Sequence, residues 1–439
     1  MKQREYKPLG KTGTAFVDGD RSSKYPSRSE YCETGVLFLN GESISTGRID
    51  IKAANHIPKS KYDSITKGRI QYNDILITTR GNSIGDSAYV GIKENGLINA
   101  QMLIIRNRST NDLCQRFLYY YLHFRPVREL ISSFSSGSAQ PQIPIRDLRC
   151  LPVWVPKKGT QRKIAAILSA YDDLIEVNER RIALLEKMAE EIFREWFVRM
   201  RFPGHSNNAT AMIPDGWEKT KAEKYLSIYR GTAYSSETIS DTKLAEKYIP
   251  FINLKNVLRG GGFRVDGTKY YSGEYKKTQV VSGGSIIIAA TDMTQDRAII
   301  GQAARIPNGF IEKAIISSDV IRVVPMNIEP SFLYALLRYS GFSNQLKELA
   351  NGANVLHLQP DLVCEQKVLI PGEKLQKRFA ALYDQFLAET DLLRKRNLTM
   401  EETRDRLLTR LMSGALDVEK LDIAFPPSME EESAAEGVE

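Results

Sequence analysis

The chain repeats itself, and this limits its architecture more than any single motif does. Pro156–Ile167 reads Pro-Lys-Lys-Gly-Thr-Gln-Arg-Lys-Ile-Ala-Ala-Ile, and Pro371–Leu382 reads Pro-Gly-Glu-Lys-Leu-Gln-Lys-Arg-Phe-Ala-Ala-Leu. Gln161 and Gln376 stand 215 residues apart, as do Gly137 and Gly352, and Val153 and Val368. Upstream the echo is fainter. Phe38-Leu39-Asn40 resembles Phe251-Ile252-Asn253, and Asp74–Ile77 resembles Ser285–Ile288, at offsets of 213 and 211. A sequence with one long internal period folds as two related units. Each half has a part that is closely repeated and a part that has diverged.

The closely repeated part is a long helix. From Ile164, alternating steps of four and three reach Leu168, Tyr171, Ile175, Asn178, Ile182, Leu185, Ala189, Ile192 and Trp196. Such spacing is a heptad seam, and its one polar member, Asn178, is of the kind that fixes register. No proline or glycine interrupts Thr160–Phe202, a helix of about 60 Å at about 1.5 Å per residue. The second copy runs from Lys374 to Met412, where Ser413-Gly414 stops it. One of its seams keeps Phe379, Phe386, Leu393, Met400 and Leu407; the other reads Tyr383, Thr390, Asn397, Arg404 and Leu411. An amphipathic helix needs a packing partner, and each of these is the natural partner of the other. The expected fold class is α+β: two mixed α/β domains separated by two long helices that form an antiparallel coiled coil.

The diverged parts carry short apolar runs between Gly, Asn, Asp, Ser and Pro clusters, such as Gly35–Leu39, Asp74–Thr78 and Ser285–Ala289. These read as strands and turns. Arg116–Ile131 and Pro330–Leu349 read as helical. The expected boundaries are a first domain over 1–158, a first helix over 159–202, a linker over 203–213, a second domain over 214–372, a second helix over 373–416 and an acidic, disordered tail over 417–439.

A net charge of +8 and a pI near 9.0 favour an anionic partner, most often nucleic acid. The cysteines (Cys32, Cys114, Cys150, Cys364) and histidines (His56, His123, His205, His357) are scattered, against a zinc site or a disulfide framework and in keeping with a reducing cytoplasm. The N-terminus has no signal-peptide pattern. The purest apolar run, Ile286–Ala290, is too short to span a bilayer.

Catalytic alternatives fare poorly. An amino-methyltransferase needs an Asn/Asp-Pro-Pro-Tyr/Phe box, but the only Pro-Pro, Pro426-Pro427, follows Phe425. Gly10-Lys11-Thr12 ends like a phosphate loop, yet Glu5 stands where its first glycine belongs. Pro360-Asp361 with Glu365-Gln366-Lys367 has the letters of a metal-dependent nuclease, at a spacing too short for a strand pair.

Particular strings resemble the specificity subunits of type I restriction-modification systems. Ile192-Phe193-Arg194-Glu195-Trp196-Phe197-Val198 with Phe202-Pro203-Gly204 is similar to the family's first helix end. Ile213-Pro214-Asp215-Gly216-Trp217 resembles the opening of its second recognition domain. Leu407–Gly414 resembles its second helix end. Arg80-Gly81-Asn82-Ser83-Ile84-Gly85 resembles its Arg-Gly turn, and Gly137-Ser138-Ala139-Gln140-Pro141 precedes the first helix as in relatives. The sequence departs from the family at Thr160-Gln161 and Leu375-Gln376, where Glu-Gln is usual. It also reads Ala290-Thr291-Asp292-Met293 where the second domain would carry its Arg-Gly turn.

The resemblance implies a non-catalytic subunit with two target-recognition domains, each reading half of a split double-stranded DNA sequence. It implies as partners two methyltransferase subunits and two restriction subunits, and no membrane. No cofactor is expected in this chain, since S-adenosylmethionine, ATP and magnesium belong to the partners. Expected DNA contacts are Lys59, Lys61, Lys67, Arg69, Arg80 and Asn82 in the first domain. In the second they are Lys255, Asn256, Arg259, Arg264, Thr291 and Gln295. Basic and amide side chains contact phosphates and base edges. A B-DNA turn repeats every 34–36 Å or so, so helix length is expected to set the unread spacer. The rivals are a coiled-coil scaffold for protein partners and the specificity subunit of a type IIB-like enzyme.

Overall fold

Two runs of branched apolar residues organise the two cores. The computed structural model describes residues 4–45, 47–81, 83–108, 113–135, 141–204, 213–293, 296–352 and 355–430. Ile75–Thr78 and Ile286–Ala289 are strands in which every residue is buried. Successive strand side chains point to opposite faces, so each run feeds two clusters. Ile75 and Ile77 pack with Phe117 and Leu118, while Leu76 joins Leu39, Ile98 and Ile104. Ile286 and Ile288 pack with Phe332 and Leu333, while Ile287 and Ala289 join Ile252 and Ile316. Burial on both faces explains why these strands are continuously apolar instead of alternating.

The chain divides into a unit of Met1–Glu176 with Thr399–Glu439 and a unit of Val177–Leu398. In the first, a six-stranded sheet runs in the order Thr14–Asp18, Met102–Asn107, Ile75–Thr78, Ser87–Tyr89, Arg48–Ile49, Ile44–Ser45. A three-stranded sheet places Val36–Leu39 between Asn55–Ile57 and Gly96–Ile98. Its helices are α1 (Lys59–Ser64), α2 (Gln115–His123), α3 (Arg125–Ser133), α4 (Ile145–Cys150) and the start of α5 (Lys158–Phe193). In the second, a four-stranded sheet orders Leu226–Arg230, Val320–Pro325, Ile286–Ala289 and Ala303–Arg305, beside a five-stranded sheet centred on Ile249–Ile252. Its helices are α6 (Pro330–Tyr339), α7 (Phe342–Glu348), α8 (Pro360–Glu365) and most of α9 (Glu373–Ser413). A π-helical turn, Arg194–Val198, ends α5.

The repeat persists in atomic detail. Asn40 and Asn253 each follow the paired strand and cap a 3-10 turn, the first accepting from Ser43 N (3.1 Å) and the second from Lys255 N (2.9 Å). Gln161 is fully buried at the start of α5. It accepts from Cys114 N (2.7 Å) and donates to the Pro156 carbonyl (2.7 Å). Gln376, buried at the start of α9, accepts from Glu329 N (3.3 Å) and donates to the Pro371 carbonyl (2.8 Å). Each glutamine ties the entry of a short apolar helix to the base of a long one. Gln376→Ala is therefore expected to lower the stability of the second unit by about 1–3 kcal/mol, the usual cost of losing buried hydrogen bonds. Gln376→Glu should be no better, since a carboxylate cannot donate to the Pro371 carbonyl. Urea unfolding monitored by tryptophan fluorescence checks both.

The long helices pair antiparallel, as their seams suggested. Within the second unit Asn178 Nδ2 donates to Asn397 Oδ1 (2.7 Å), while Glu186, further along α5, meets Arg394, earlier in α9. The polar seam positions of the two helices thus face each other. In the first unit Ile164 and Leu168 share a core with Leu408, Leu411 and Met412, and Asp172 pairs with Arg404 (2.6 Å).

The expectation of a disordered tail over 417–439 is corrected for residues 417–430. Val418 and Met429 are buried in the first unit. Lys157 Nζ pairs with Glu419 (2.6 Å), Arg116 donates to Ser428 Oγ (3.1 Å), and Arg162 lies over the Phe425 ring. The apolar residues that interrupt the acidic run anchor it. The rest of the tail, 431–439, lies outside the described residues.

Candidate nucleic-acid interface

The two units present the same backbone element at the end of their central strand. In the first, Thr79 N donates to the Gln101 carbonyl (2.8 Å) and Ile143 N donates to the Thr79 carbonyl (3.0 Å). Arg80 then forms an antiparallel bridge with Gln142. In the second, Ala290 N donates to the Asp319 carbonyl (2.7 Å), Leu358 N donates to the Ala290 carbonyl (2.8 Å), and Thr291 pairs with His357. Gln142 and His357 stand 215 apart, so the repeat register locates both partners. The second domain therefore has the same element as the Arg80 turn, despite lacking the Arg-Gly letters. Gly81 (φ +97°) and Gly85 (φ +85°) adopt left-handed conformations that favour glycine in the first turn.

The side chains on these matching frames differ in charge. In the first unit a depression of about 320 Å³ is lined by Arg21, Arg80, Gln142 and Arg146 with Asp18. Arg21 pairs with Asp18 (3.2 Å) and Arg146 with Asp147 (3.2 Å), both largely exposed and weak. Arg80 has no hydrogen-bond or ion-pair partner among the described residues, and its Nε is buried without one. In the second unit Thr291 donates to Asp319 Oδ1 (3.2 Å), and Tyr234 donates to Asp319 Oδ2 (2.8 Å). Burial, then the Asp319 carboxylate, pushes the Tyr234 hydroxyl up to about 12, keeping it a donor. Asp361 occupies the repeat position of Arg146.

The other expected contacts divide by exposure. Lys59, Lys67, Lys255 and Arg259 are exposed, as is Arg264 in its pair with Asp266 (3.0 Å). Lys61 is held by Glu30 (2.8 Å), and this bond, with the Ser27 amide, brings the Glu30 carboxyl down to about 2. Three of the expected residues are engaged within the fold. Arg69 is spent on the carbonyls of Ile65 (2.8 Å) and Tyr62 (3.0 Å), with its guanidinium over the Tyr62 ring, and so caps α1. Asn256 is wholly buried and gives both amide hydrogens away, to the Arg264 carbonyl (2.9 Å) and Thr268 Oγ1 (2.8 Å). Thr291 is buried on Asp319. Asn82 and Gln295 lie outside the described residues, as do residues 137–140 of the Gly137–Pro141 string. Gln142, Arg21 and Arg146, which line the depression with Arg80, and His357 lie in no basic run and were not among the expected contacts; the 215-residue offset applied to Gln142 leads to His357.

Among the described residues no group of His, Cys, Asp and Glu could hold a metal ion. None of the described helices is long and apolar enough to cross a membrane. Pro360, Asp361 and Glu365 fall within α8 and Lys367 opens the next strand, so these residues form no carboxylate cluster.

The comparisons agree with this two-fold organisation. The type I restriction modification DNA specificity domain matches residues 21–187 and again residues 214–402. The MjaIX specificity subunit of Methanocaldococcus jannaschii is 26% identical over 357 residues, covering 79% of this chain and 78% of its own. The MjaVIII specificity subunit of the same organism is 23% identical over 427 residues, covering 94% and 91%. A crystal structure of a type I restriction-modification S subunit from M. genitalium shares the fold, with a TM-score of 0.52 at 17% identity over 94% of this chain and 97% of that one. With both halves matched by that domain, the chain belongs to the specificity subunits of type I restriction-modification systems.

Proposed function

We propose that this chain is the DNA-reading, non-catalytic subunit of a type I restriction-modification complex in the cytoplasm. Each unit reads one half of a bipartite double-stranded target. The chain holds two methyltransferase and two restriction subunits, which supply the S-adenosylmethionine, ATP and magnesium chemistry. The observation that carries this reading is the repeated turn: one backbone frame occurs once per unit and bears different side chains, Arg80 with Gln142 and Thr291 with His357. A reader of two unrelated half-sequences needs that combination, because the frame positions and the side chains discriminate. The basic surplus supports a polyanionic partner.

The test is single-molecule methylome sequencing of a methylation-free host that expresses this chain with its methyltransferase. The expected result is a split motif bearing N6-methyladenine in both halves, absent without this chain. A host with a folded, cofactor-supplied methyltransferase and no new motif would count against the reading and favour a protein scaffold.

A further inference from the structure

Most arginines of the described structure that are partly or wholly sheltered are committed to the fold. Arg106 forks onto Asp74 (2.7 and 2.7 Å), Arg305 meets Asp391 (3.0 Å), Arg338 meets Glu186 (2.9 Å) and Arg404 meets Asp172 (2.6 Å). Arg80 differs. It is half-buried at the rim of the 320 Å³ depression, its Nε is enclosed without an acceptor, and no carboxylate or carbonyl among the described residues holds its guanidinium. The backbone beneath it is fixed from both sides by the Thr79 bonds and the Gln142 bridge. Enclosing the Nε–H without an acceptor is costly, and no described residue offsets that cost.

We infer that Arg80 is the specificity-determining residue of the first unit and that it reads a guanine in the first half of the target. This rests on the DNA-reading role proposed above. Guanine's major-groove edge offers two adjacent acceptors, N7 and O6, which match the parallel N–H donors of a guanidinium. Adenine presents a donor beside its N7, and the pyrimidines lack N7, so each breaks the match. Gln142, directly across the bridge, lies on the same face and within reach of the neighbouring base edge. The second unit cannot make the guanine contact at this place: the frame there carries Thr291, already bonded to Asp319, and His357. The two halves of the target are therefore read by unlike chemistry on one frame.

The experiment has two arms. Wild type, Arg80→Ala and Arg80→Lys are each expressed with the methyltransferase and their methylomes sequenced. The purified wild-type complex is also titrated with target duplexes in which each guanine in turn is replaced by 7-deazaguanine, which lacks the N7 acceptor. Both variants are expected to relax one guanine position in one half of the motif and leave the other half intact. One 7-deaza duplex should bind roughly 5- to 100-fold more weakly than its parent. Variant motifs identical to the wild type's, or equal affinity for every 7-deaza duplex, would overturn the inference while leaving the DNA-reading role standing. If Arg80→Ala supports no methylation at all, Arg80→Lys and the wild-type titration decide in the same way. A wild type that writes no bipartite motif would remove the reading on which the inference rests.

Discussion

Glu186→Ala should destabilise the second unit by about 3 kcal/mol. Glu186 stands on α5 between Arg338 of α6 (2.9 Å) and Arg394 of α9, and it is the carboxylate that both guanidiniums meet there. Removing one partner of a buried pair costs about 3–5 kcal/mol, because the other charge stays buried. The lower end applies, since Glu186 keeps 28% of its side chain exposed while Arg338 keeps 11%. Glu186→Gln, which can still accept hydrogen bonds, should lose less. The pH dependence has a definite sign. Burial raises the Glu186 carboxyl, but Arg338 and Arg394 outweigh it, and the net displacement is below the ordinary glutamate value. Its stabilisation is therefore complete above the unfolded glutamate range and is lost as pH falls through the lowered folded value. Urea midpoints of wild type and Glu186→Gln should converge on acidification. A constant gap between them would show that the pair contributes nothing electrostatic.

Inserting one heptad into each long helix, after Asn178 and before Asn397, should move the methylated target to a spacer about three base pairs longer. Seven helical residues add about 10.5 Å at 1.5 Å each, against about 3.4 Å per base pair. A whole heptad keeps the seam facing its partner, and placing the insertions at the Asn178–Asn397 contact keeps the helices matched. Methylation of the original site should disappear while both half-sequences stay the same. An unchanged spacer, read from the methylome, would show that helix length does not measure it.

What the sequence disclosed follows from the kind of signal each feature leaves. The α5 and α9 seams were legible because heptad packing repeats many times along a chain, and a few breaks such as Arg404 do not obscure it. The continuous apolar runs at Ile75 and Ile286 were legible as strands. The site was less so. Arg69 looked like a contact because a basic residue in a loop carries no mark that three backbone carbonyls are waiting for it. Asn256 had the letters of a base-reading amide, but the corresponding Asn40 and Asn253 caps show that position 256 lies inside a buried turn. The second unit's turn was hidden because its defining feature is a backbone pairing across 66 residues, Thr291 with His357, which different side chains can decorate. Val418 and Met429 were lost in an acidic background too short to show a period.

The division of the chain also dictates an order of events on the ribosome. The unit that begins at the N-terminus takes part of its core from Leu408, Leu411, Met412, Val418 and Met429, whereas the other is complete by Leu398. Domains of a nascent chain generally fold in order of emergence. Here the half translated first must wait for residues 408–429 to leave the exit tunnel before its core, which includes Phe117 and Leu118 of α2, can close. A premature stop near codon 400 would release a chain whose second unit is whole and whose first unit cannot close.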